Sequence, residues 1–315
     1  MSDVAWPELV QRARQGEPRA VARLISLIED GSPDLAAIMS DLATSSGTAY
    51  VIGITGSPGV GKSTTTSALV SAYRERGVRV GVIAVDPSSP FSGGALLGDR
   101  IRMQQHATDP GVFIRSMASR GHLGGIAAAT PQAIRVLEAA GCEVILVETV
   151  GVGQSEVEVA GAADATVVLL APGMGDSVQA AKAGILEIGD VLCVNKADRD
   201  GADATVREVR HMVSLGEPED GWRAPVVTAI AAQAQIGDLV AALDDRRAWL
   251  ADGDHLRERR RRRARDEVLA IALGRYRAAL TNRLDPGLAD AVADGRIDPY
   301  TAADELLHAD DRMSP

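Results

Sequence analysis

The 315-residue chain has little lysine, few aromatic residues and only two cysteines. Of its 33 basic residues only Lys62, Lys182 and Lys196 are lysines, so the other 30 (33 − 3) are arginines. Aromatic residues make up 3% of the chain, so a core must be built from Ala, Val, Leu and Ile. No apolar run reaches the roughly 18 residues that a membrane-spanning helix needs, so we expect no membrane partner.

The charge and the cysteines narrow the class of protein further. A net charge of −10 argues against a general polyanion binder, so we expect no nucleic-acid partner and only a local phosphate site. Cys142 and Cys193 lie in apolar runs and form no C-x-x-C pair, which favours buried free thiols in a reducing compartment. The first residues are acidic and show no signal-peptide pattern, so we expect a cytoplasmic location.

The apolar pattern divides the chain into three zones. The pattern predicts an N-terminal helical extension over residues 1–46, a domain of alternating strands and helices over 47–248, and a C-terminal helical arm over 249–315. Near-continuous Val/Ile/Leu runs separated by helical lengths predict a mostly parallel sheet covered by helices on both faces, an α/β fold. The predicted strands are Tyr50–Thr55, Val80–Val85, Val112–Arg115, Val144–Val147, Thr166–Leu170, Val191–Val194 and Val226–Thr228.

A glycine-rich segment after the first predicted strand matches G-x-x-x-x-G-K-[ST] in full and opens a helix. This context indicates a P-loop NTPase, in which backbone N–H groups and the helix N-terminus hold phosphates. Lys62 is predicted to reach the β and γ phosphates and the Ser63 hydroxyl to bind Mg²⁺. The predicted phosphate-binding residues are Gly56, Ser57, Pro58, Gly59, Val60, Gly61, Lys62, Ser63 and Thr64.

A second motif, Asn195-Lys-Ala-Asp198, ends a later strand and resembles the N-K-x-D signature of GTPases. The Asp198 carboxylate can accept two hydrogen bonds from the guanine ring, whereas adenine presents no such donor pair. Lys196 can lay its alkyl stem along the base. After the next strand, the backbone N–H of Ala231 is a candidate contact for the guanine oxygen. The ligand predicted from these residues is GTP or GDP.

Three carboxylates are predicted at or near the carboxyl edge of the same sheet. Asp86 and Glu148 end strands, and Asp99 follows Asp86 by thirteen positions. Oxygen ligands of this kind suit a hard cation, so Ser63, Asp86, Asp99 and Glu148 are the candidate Mg²⁺ ligands.

Long motifs resemble one known family. The motifs are Val85-Asp-Pro-Ser-Ser, Leu97-Gly-Asp-Arg-Ile-Arg-Met, Gly121-His-Leu-Gly-Gly, Val147-Glu-Thr-Val-Gly-Val-Gly-Gln-Ser-Glu and Asn195-Lys-Ala-Asp, together with Gln179 to Gly184. They are similar to the MeaB/ArgK family, the GTPase chaperones of adenosylcobalamin-dependent methylmalonyl-CoA mutase. This family is related to mitochondrial MMAA. The resemblance implies slow GTP hydrolysis that the mutase accelerates, a gate on cofactor loading, and a homodimer joined through the C-terminal arm.

The same resemblance assigns roles to the loops. It places Asp86 and Asp99 in a first switch, Gly121–Gly125 in a second, and Pro172–Gly184 in a third that meets the mutase. In the third switch Lys182 is implied to be the transition-state cation, the part that an arginine finger has elsewhere. The candidate catalytic residues are Lys62, Asp86, Asp99, Glu148 and Lys182.

Three alternatives stay open at the sequence level. A nickel-delivery GTPase would need Cys/His clusters, and a kinase or transport-associated ATPase is opposed by Asn195–Asp198. A binding switch with negligible hydrolysis in the absence of its partner is the third. The run Arg259–Arg263 is interpreted as a solvated helix face rather than as a site for RNA or an acidic partner.

Overall fold

The computed structural model describes residues 5–87, 103–119, 129–149, 155–173, 187–216 and 221–308. The chain forms two compact units, residues 1–259 and 260–315. The sequence prediction places the start of the C-terminal arm at residue 249, slightly before this division.

A seven-stranded parallel sheet forms the centre of the first unit, in the order β3-β2-β4-β1-β5-β6-β7. All adjacent strands pair in parallel, as the apolar runs predict. Strands β1, β4, β5 and β6 are buried along their whole length, since helices cover both faces. The strands are β1 Tyr50–Thr55, β2 Val80–Pro87, β3 Val112–Ser119, β4 Val144–Thr149, β5 Ala165–Leu170, β6 Val191–Asn195 and β7 Val226–Ala229.

Described helices of the first unit cover the two faces of the sheet. They are α1 Trp6–Arg14, α2 Pro18–Glu29, α3 Leu35–Leu42, α4 Lys62–Glu75, α5 Thr130–Ala139, α6 Ser155–Ala162, α7 Ala202–Leu215 and α8 Gly237–Ala251. Helices α4 and α8 pack on one face. Helices α1, α2, α3, α5 and α6 share a core with β1 to β4 on the other face, and α7 packs beside them on β5 and β6.

The N-terminal helices are therefore integral to the first unit. Leu24 and Ile25 of α2 are fully buried in the core that α5 and the sheet complete. The Arg115 guanidinium on β3 donates to Glu29 Oε2 at 2.5 Å and to Ser26 Oγ at 3.0 Å, so an ion pair also joins α2 to the sheet.

The helix that follows, α9 (His255–Arg283), begins in the first unit and continues into the second. Helices α10 (Pro286–Ala293) and α11 (Pro299–His308) complete the second unit. Asp-Pro pairs start both short helices. Asp285 accepts the Gly287 N–H at 3.1 Å, and Asp298 accepts the N–H groups of Tyr300 and Thr301.

One arginine departs from the predicted solvated face. Arg259 binds Asp190 with two nitrogens, at 3.2 and 2.9 Å, and donates to the Ala163 carbonyl at 3.1 Å. The fully buried Arg246 reaches the same carboxylate at 2.7 Å. The interpretation of Arg259 as a solvated residue is therefore wrong, because a buried carboxylate at the start of β6 requires a cationic partner.

Two further expectations concern the thiols and the membrane. Cys142 and Cys193 are both free and buried, which confirms that part of the prediction. Burial raises the pKa of each thiol to about 12, so both remain protonated near neutral pH. Within the described ranges, no helix has both the length and the apolar character that crossing a membrane requires.

Candidate nucleotide site

The site lies at the carboxyl edge of the sheet, where parallel strands end together. The chain leaves β1 at Thr55, turns through Gly56–Gly61 and enters α4 at Lys62. Strand β1 lies between β4, which carries Glu148, and β5. Beyond β5, strand β6 ends at Asn195. The predicted phosphate, acid and base motifs are thus placed at one edge.

Two glycines of the loop are required by close contacts. Gly56 and Gly61 have φ angles of +137° and +100°. A Cβ on Gly56 would lie 2.3 Å from the Leu169 carbonyl oxygen, and one on Gly61 would lie 2.4 Å from Asn195 Nδ2. The motif glycines therefore let the loop approach β5 and β6 closely as well as adopt left-handed backbone.

The Lys62 side chain folds back over its own loop. Its Nζ donates to the carbonyls of Gly56 at 2.7 Å and Ser57 at 3.2 Å, and the residue is buried. An ammonium in this position lies within the loop whose amides are predicted to surround phosphate. Thr64, at the start of α4, is exposed and accessible to a ligand.

The Asn-Lys-x-Asp motif holds the far side of the same loop. Asn195 Nδ2 donates to the Val60 carbonyl at 2.8 Å, and Lys196 Nζ donates to the Gly59 carbonyl at 2.6 Å. Lys196 has a φ of +58°, a conformation uncommon for a residue other than glycine and often found at functional sites. The two predicted motifs therefore form one physical site.

The remaining predicted base contacts differ in their surroundings. Asp198 is exposed and accessible to a base. The Ala231 N–H donates to Asn195 Oδ1 at 3.1 Å, so this amide already has a partner in the protein. Orienting Asn195 is a role of Ala231 that the sequence did not predict, and its contact with the guanine oxygen stays a prediction.

Among the described residues of the site, Glu148 is a predicted Mg²⁺ ligand that is buried near the end of β4. Ser63 Oγ donates to its Oε1 at 2.6 Å, and Thr66 Oγ1 donates to its Oε2 at 2.8 Å. The structure thus brings together two of the predicted Mg²⁺ ligands. Sequence reasoning missed Thr66, although its i, i+3 spacing from Ser63 places both hydroxyls on one face of α4.

Other predicted residues lie wholly or partly outside the described residues. The backbone of Asp86 lies near the end of β2, but its side chain is not among those described. Asp99, Lys182 and Gly121–Gly125 lie outside the described ranges, as does most of Pro172–Gly184. Among the residues that are described, no cluster of three or more His, Cys, Asp or Glu residues could hold a metal. The full ligand set for Mg²⁺ therefore stays a prediction.

Comparison with known proteins identifies the family. The model for the methylmalonyl-CoA mutase-associated GTPase MeaB matches residues 21–283. The chain belongs to the MeaB family. It is 47% identical over 308 residues to a putative GTPase of Pyrococcus abyssi, with 95% of each chain covered.

More distant relatives agree with this assignment. The chain is 38% identical to the GTPase ArgK of Escherichia coli, with 80% of each chain covered. It is 33% identical to the mitochondrial methylmalonic aciduria type A homolog of Caenorhabditis elegans, covering 82% of this chain and 67% of that protein. A crystal structure of a LAO/AO transport system kinase superposes with a TM-score of 0.72 at 27% identity, with 98% of each chain covered.

Membership in the MeaB family confirms the resemblance and the enzyme class. The protein is a P-loop GTPase, and GTP and GDP are its ligands. In this MeaB-family chain, the contacts of Asn195 and Lys196 with the carbonyls of Val60 and Gly59 hold the predicted base motif against the predicted phosphate loop.

Proposed function

We propose that this GTPase is a chaperone that gates adenosylcobalamin loading and protects methylmalonyl-CoA mutase or a related acyl-CoA mutase. The observation that carries the nucleotide part is the bonding of Asn195 and Lys196 to the carbonyls of Val60 and Gly59. The base motif and the phosphate loop are held as a unit, so a bound guanine reinforces the loop that holds the phosphates. The mutase part rests on the family, whose model is that of a mutase-associated GTPase.

The residues present fit a Mg²⁺ ion. Ser63 and Glu148 offer hard oxygen ligands beside the phosphate loop, and the Ser63 hydroxyl donates a hydrogen bond to Glu148. When bound, Mg²⁺ would neutralise charge on the β and γ phosphates. The role of the protein is to hold these oxygens in place, while Lys62 and the loop amides bind the phosphates.

Slow hydrolysis in the absence of the mutase follows from an incomplete set of charges. Lys62 is the cation that the described site supplies to the phosphates. We propose that Lys182, positioned by the mutase, adds a second cationic side chain beside Lys62 and the bound Mg²⁺ and stabilises the transition state. Hydrolysis is then coupled to the presence of the client.

We further propose a homodimer formed through the C-terminal arm. Helix α9 has no buried residue, and its apolar side chains are largely exposed, 66% for Val268 and 53% for Tyr276. Val268, Ile271, Ala272, Arg275 and Tyr276 line one groove on this helix. Four of them, Val268, Ile271, Ala272 and Tyr276, form an apolar stripe at 3- and 4-residue spacing with Arg275 beside it, and a second copy of the chain would cover this stripe.

Nucleotide titration and single-turnover hydrolysis, with and without methylmalonyl-CoA mutase, test this function. We expect GTP to bind at least about 10⁴-fold more tightly than ATP, because the Asp198 carboxylate lacks partners on adenine. The mutase should accelerate GTP hydrolysis, and Lys182→Ala should abolish most of that acceleration while leaving GTP affinity intact. Equal affinity for ATP and GTP would contradict the guanine assignment. A mutase that does not accelerate GTP hydrolysis would contradict the chaperone role, and full acceleration in Lys182→Ala would contradict the role of Lys182.

A further inference from the structure

Thr66 lies one helical turn after Ser63 on α4 and is fully buried. Its Oγ1 is 2.8 Å from Glu148 Oε2 and 3.0 Å from the Lys62 carbonyl oxygen. A hydroxyl has one proton, so it donates one full hydrogen bond at a time. The carboxylate is the nearer acceptor and the stronger one, so Thr66 donates its hydrogen bond to Glu148.

The second carboxylate oxygen is held in a similar way. Glu148 Oε1 accepts the Ser63 proton at 2.6 Å, so the two oxygens of one buried carboxylate are oriented by two hydroxyls of one helix. Because the Ser63 hydroxyl donates its hydrogen bond to Glu148, its oxygen presents lone pairs in the other directions. Lone pairs are what a hard cation binds.

We propose that Thr66 is a positioning residue for the magnesium site. Its hydroxyl fixes Oε2 of Glu148 by a hydrogen bond, so that Oε1 stays in place to accept the hydrogen bond from Ser63. The Ser63 oxygen is thereby held in the orientation that binds the cation. This inference rests on the proposed Mg²⁺ site. It gives Thr66 an effect on metal affinity through its hydrogen bond to Glu148, without the Thr66 oxygen itself binding the cation.

The experiment measures how Mg²⁺ strengthens the binding of a fluorescent GDP analogue to the full-length chain, so its readout does not depend on turnover. Thr66→Val keeps the shape of the side chain and removes the hydroxyl. We expect the Mg²⁺ concentration at half-maximal effect to rise by about 10- to 100-fold, as for other residues that orient a metal ligand. Thr66→Ser should restore the original midpoint, and GDP affinity in EDTA should be unchanged in both variants.

Thr65→Val is the matched control. Thr65 is equally buried on the same helix, but its hydroxyl donates to the Gly61 carbonyl at 3.0 Å rather than to Glu148. Its removal should leave the Mg²⁺ midpoint in place. In a Glu148→Gln background, Thr66→Val should have no additional effect on the midpoint, because the residues act through one contact.

The outcomes separate this inference from the function on which it rests. If Mg²⁺ strengthens nucleotide binding in the natural chain but Thr66→Val leaves the midpoint unchanged, the role of Thr66 is overturned and the metal site stands. If Mg²⁺ has no effect on the natural chain, both fall. Circular dichroism checks that Thr66→Val folds, and Thr66→Ala takes its place in the same titration if it does not.

Discussion

At the residue scale, two of the three lysines have contacts that an arginine would not reproduce. Lys62 and Lys196 each place a compact ammonium on carbonyls of the same loop, at Gly56 and at Gly59. A planar guanidinium has a wider, fixed fork of donors and fits a single carbonyl in a tight loop poorly. The motifs predicted both lysines. They did not predict that the base motif holds the phosphate loop, because that contact depends on how close β6 lies to β1.

The first residue-scale prediction concerns Asp198. Changing Asp198→Asn replaces one acceptor oxygen with a donor, so one of the two guanine donors loses its partner. GTP affinity should fall by about 10- to 100-fold, the range expected for a lost hydrogen bond to a charged group. XTP, which carries an oxygen where guanine has the amine, should bind the variant more tightly than it binds the natural chain. Competition against a fluorescent nucleotide measures both affinities.

Asp200→Asn is the matched control for this change, because Asp200 is also exposed and lies two residues after Asp198. It should leave both affinities as they are. Unchanged GTP affinity in Asp198→Asn, or no gain for XTP, would show that Asp198 does not contact the base.

At the scale of elements, the site depends on how closely the loop between β1 and α4 approaches the end of β6. Gly61 begins the turn into α4 with left-handed backbone, and Asn195 lies directly against it. Asn195 is itself held by two hydrogen bonds, to the Val60 carbonyl and from the Ala231 N–H. It therefore cannot move aside without breaking the contacts that join the two motifs.

Gly61→Ala tests this close packing. The new Cβ would lie 2.4 Å from Asn195 Nδ2, on a backbone with a φ of +100°. We expect strain of about 1–3 kcal/mol and displacement of Asn195, and therefore a lower melting temperature and weaker GTP binding. Calorimetry and nucleotide titration measure the two effects.

Gly59→Ala separates the clash from the backbone strain. Gly59 also has a positive φ, of +83°, but a Cβ there meets no atom within 4 Å. It should lower the melting temperature through strain and weaken GTP binding less than Gly61→Ala does. Equal losses of affinity would mean that contact with Asn195 contributes nothing.

At the scale of the whole molecule, the sequence predicted the parallel sheet because its apolar runs are long, rich in Val, Ile and Leu, and separated by helical lengths. The sequence did not predict the polar contacts between distant segments. The binding of Arg259 and Arg246 to Asp190 joins residues that no local pattern connects. The packing of α1 to α3 into the core on the sheet likewise depends on which faces meet, and helical periodicity predicts only that each helix has an apolar face.

The C-terminal arm gives the prediction that concerns the assembled molecule. A charged residue in the apolar stripe of α9 should break the proposed dimer, because an unpaired carboxylate would be buried when a second copy covers the stripe. We expect the natural chain to sediment as a dimer and Ile271→Asp to sediment as a monomer.

Ala270→Asp makes a similar change at an exposed position on the opposite side of the helix and should stay dimeric. GTP affinity should persist in both variants, since the described contacts of the nucleotide site all lie within residues 1–259. A dimer that survives Ile271→Asp would place the interface elsewhere. A natural chain that sediments as a monomer would contradict the proposed dimer.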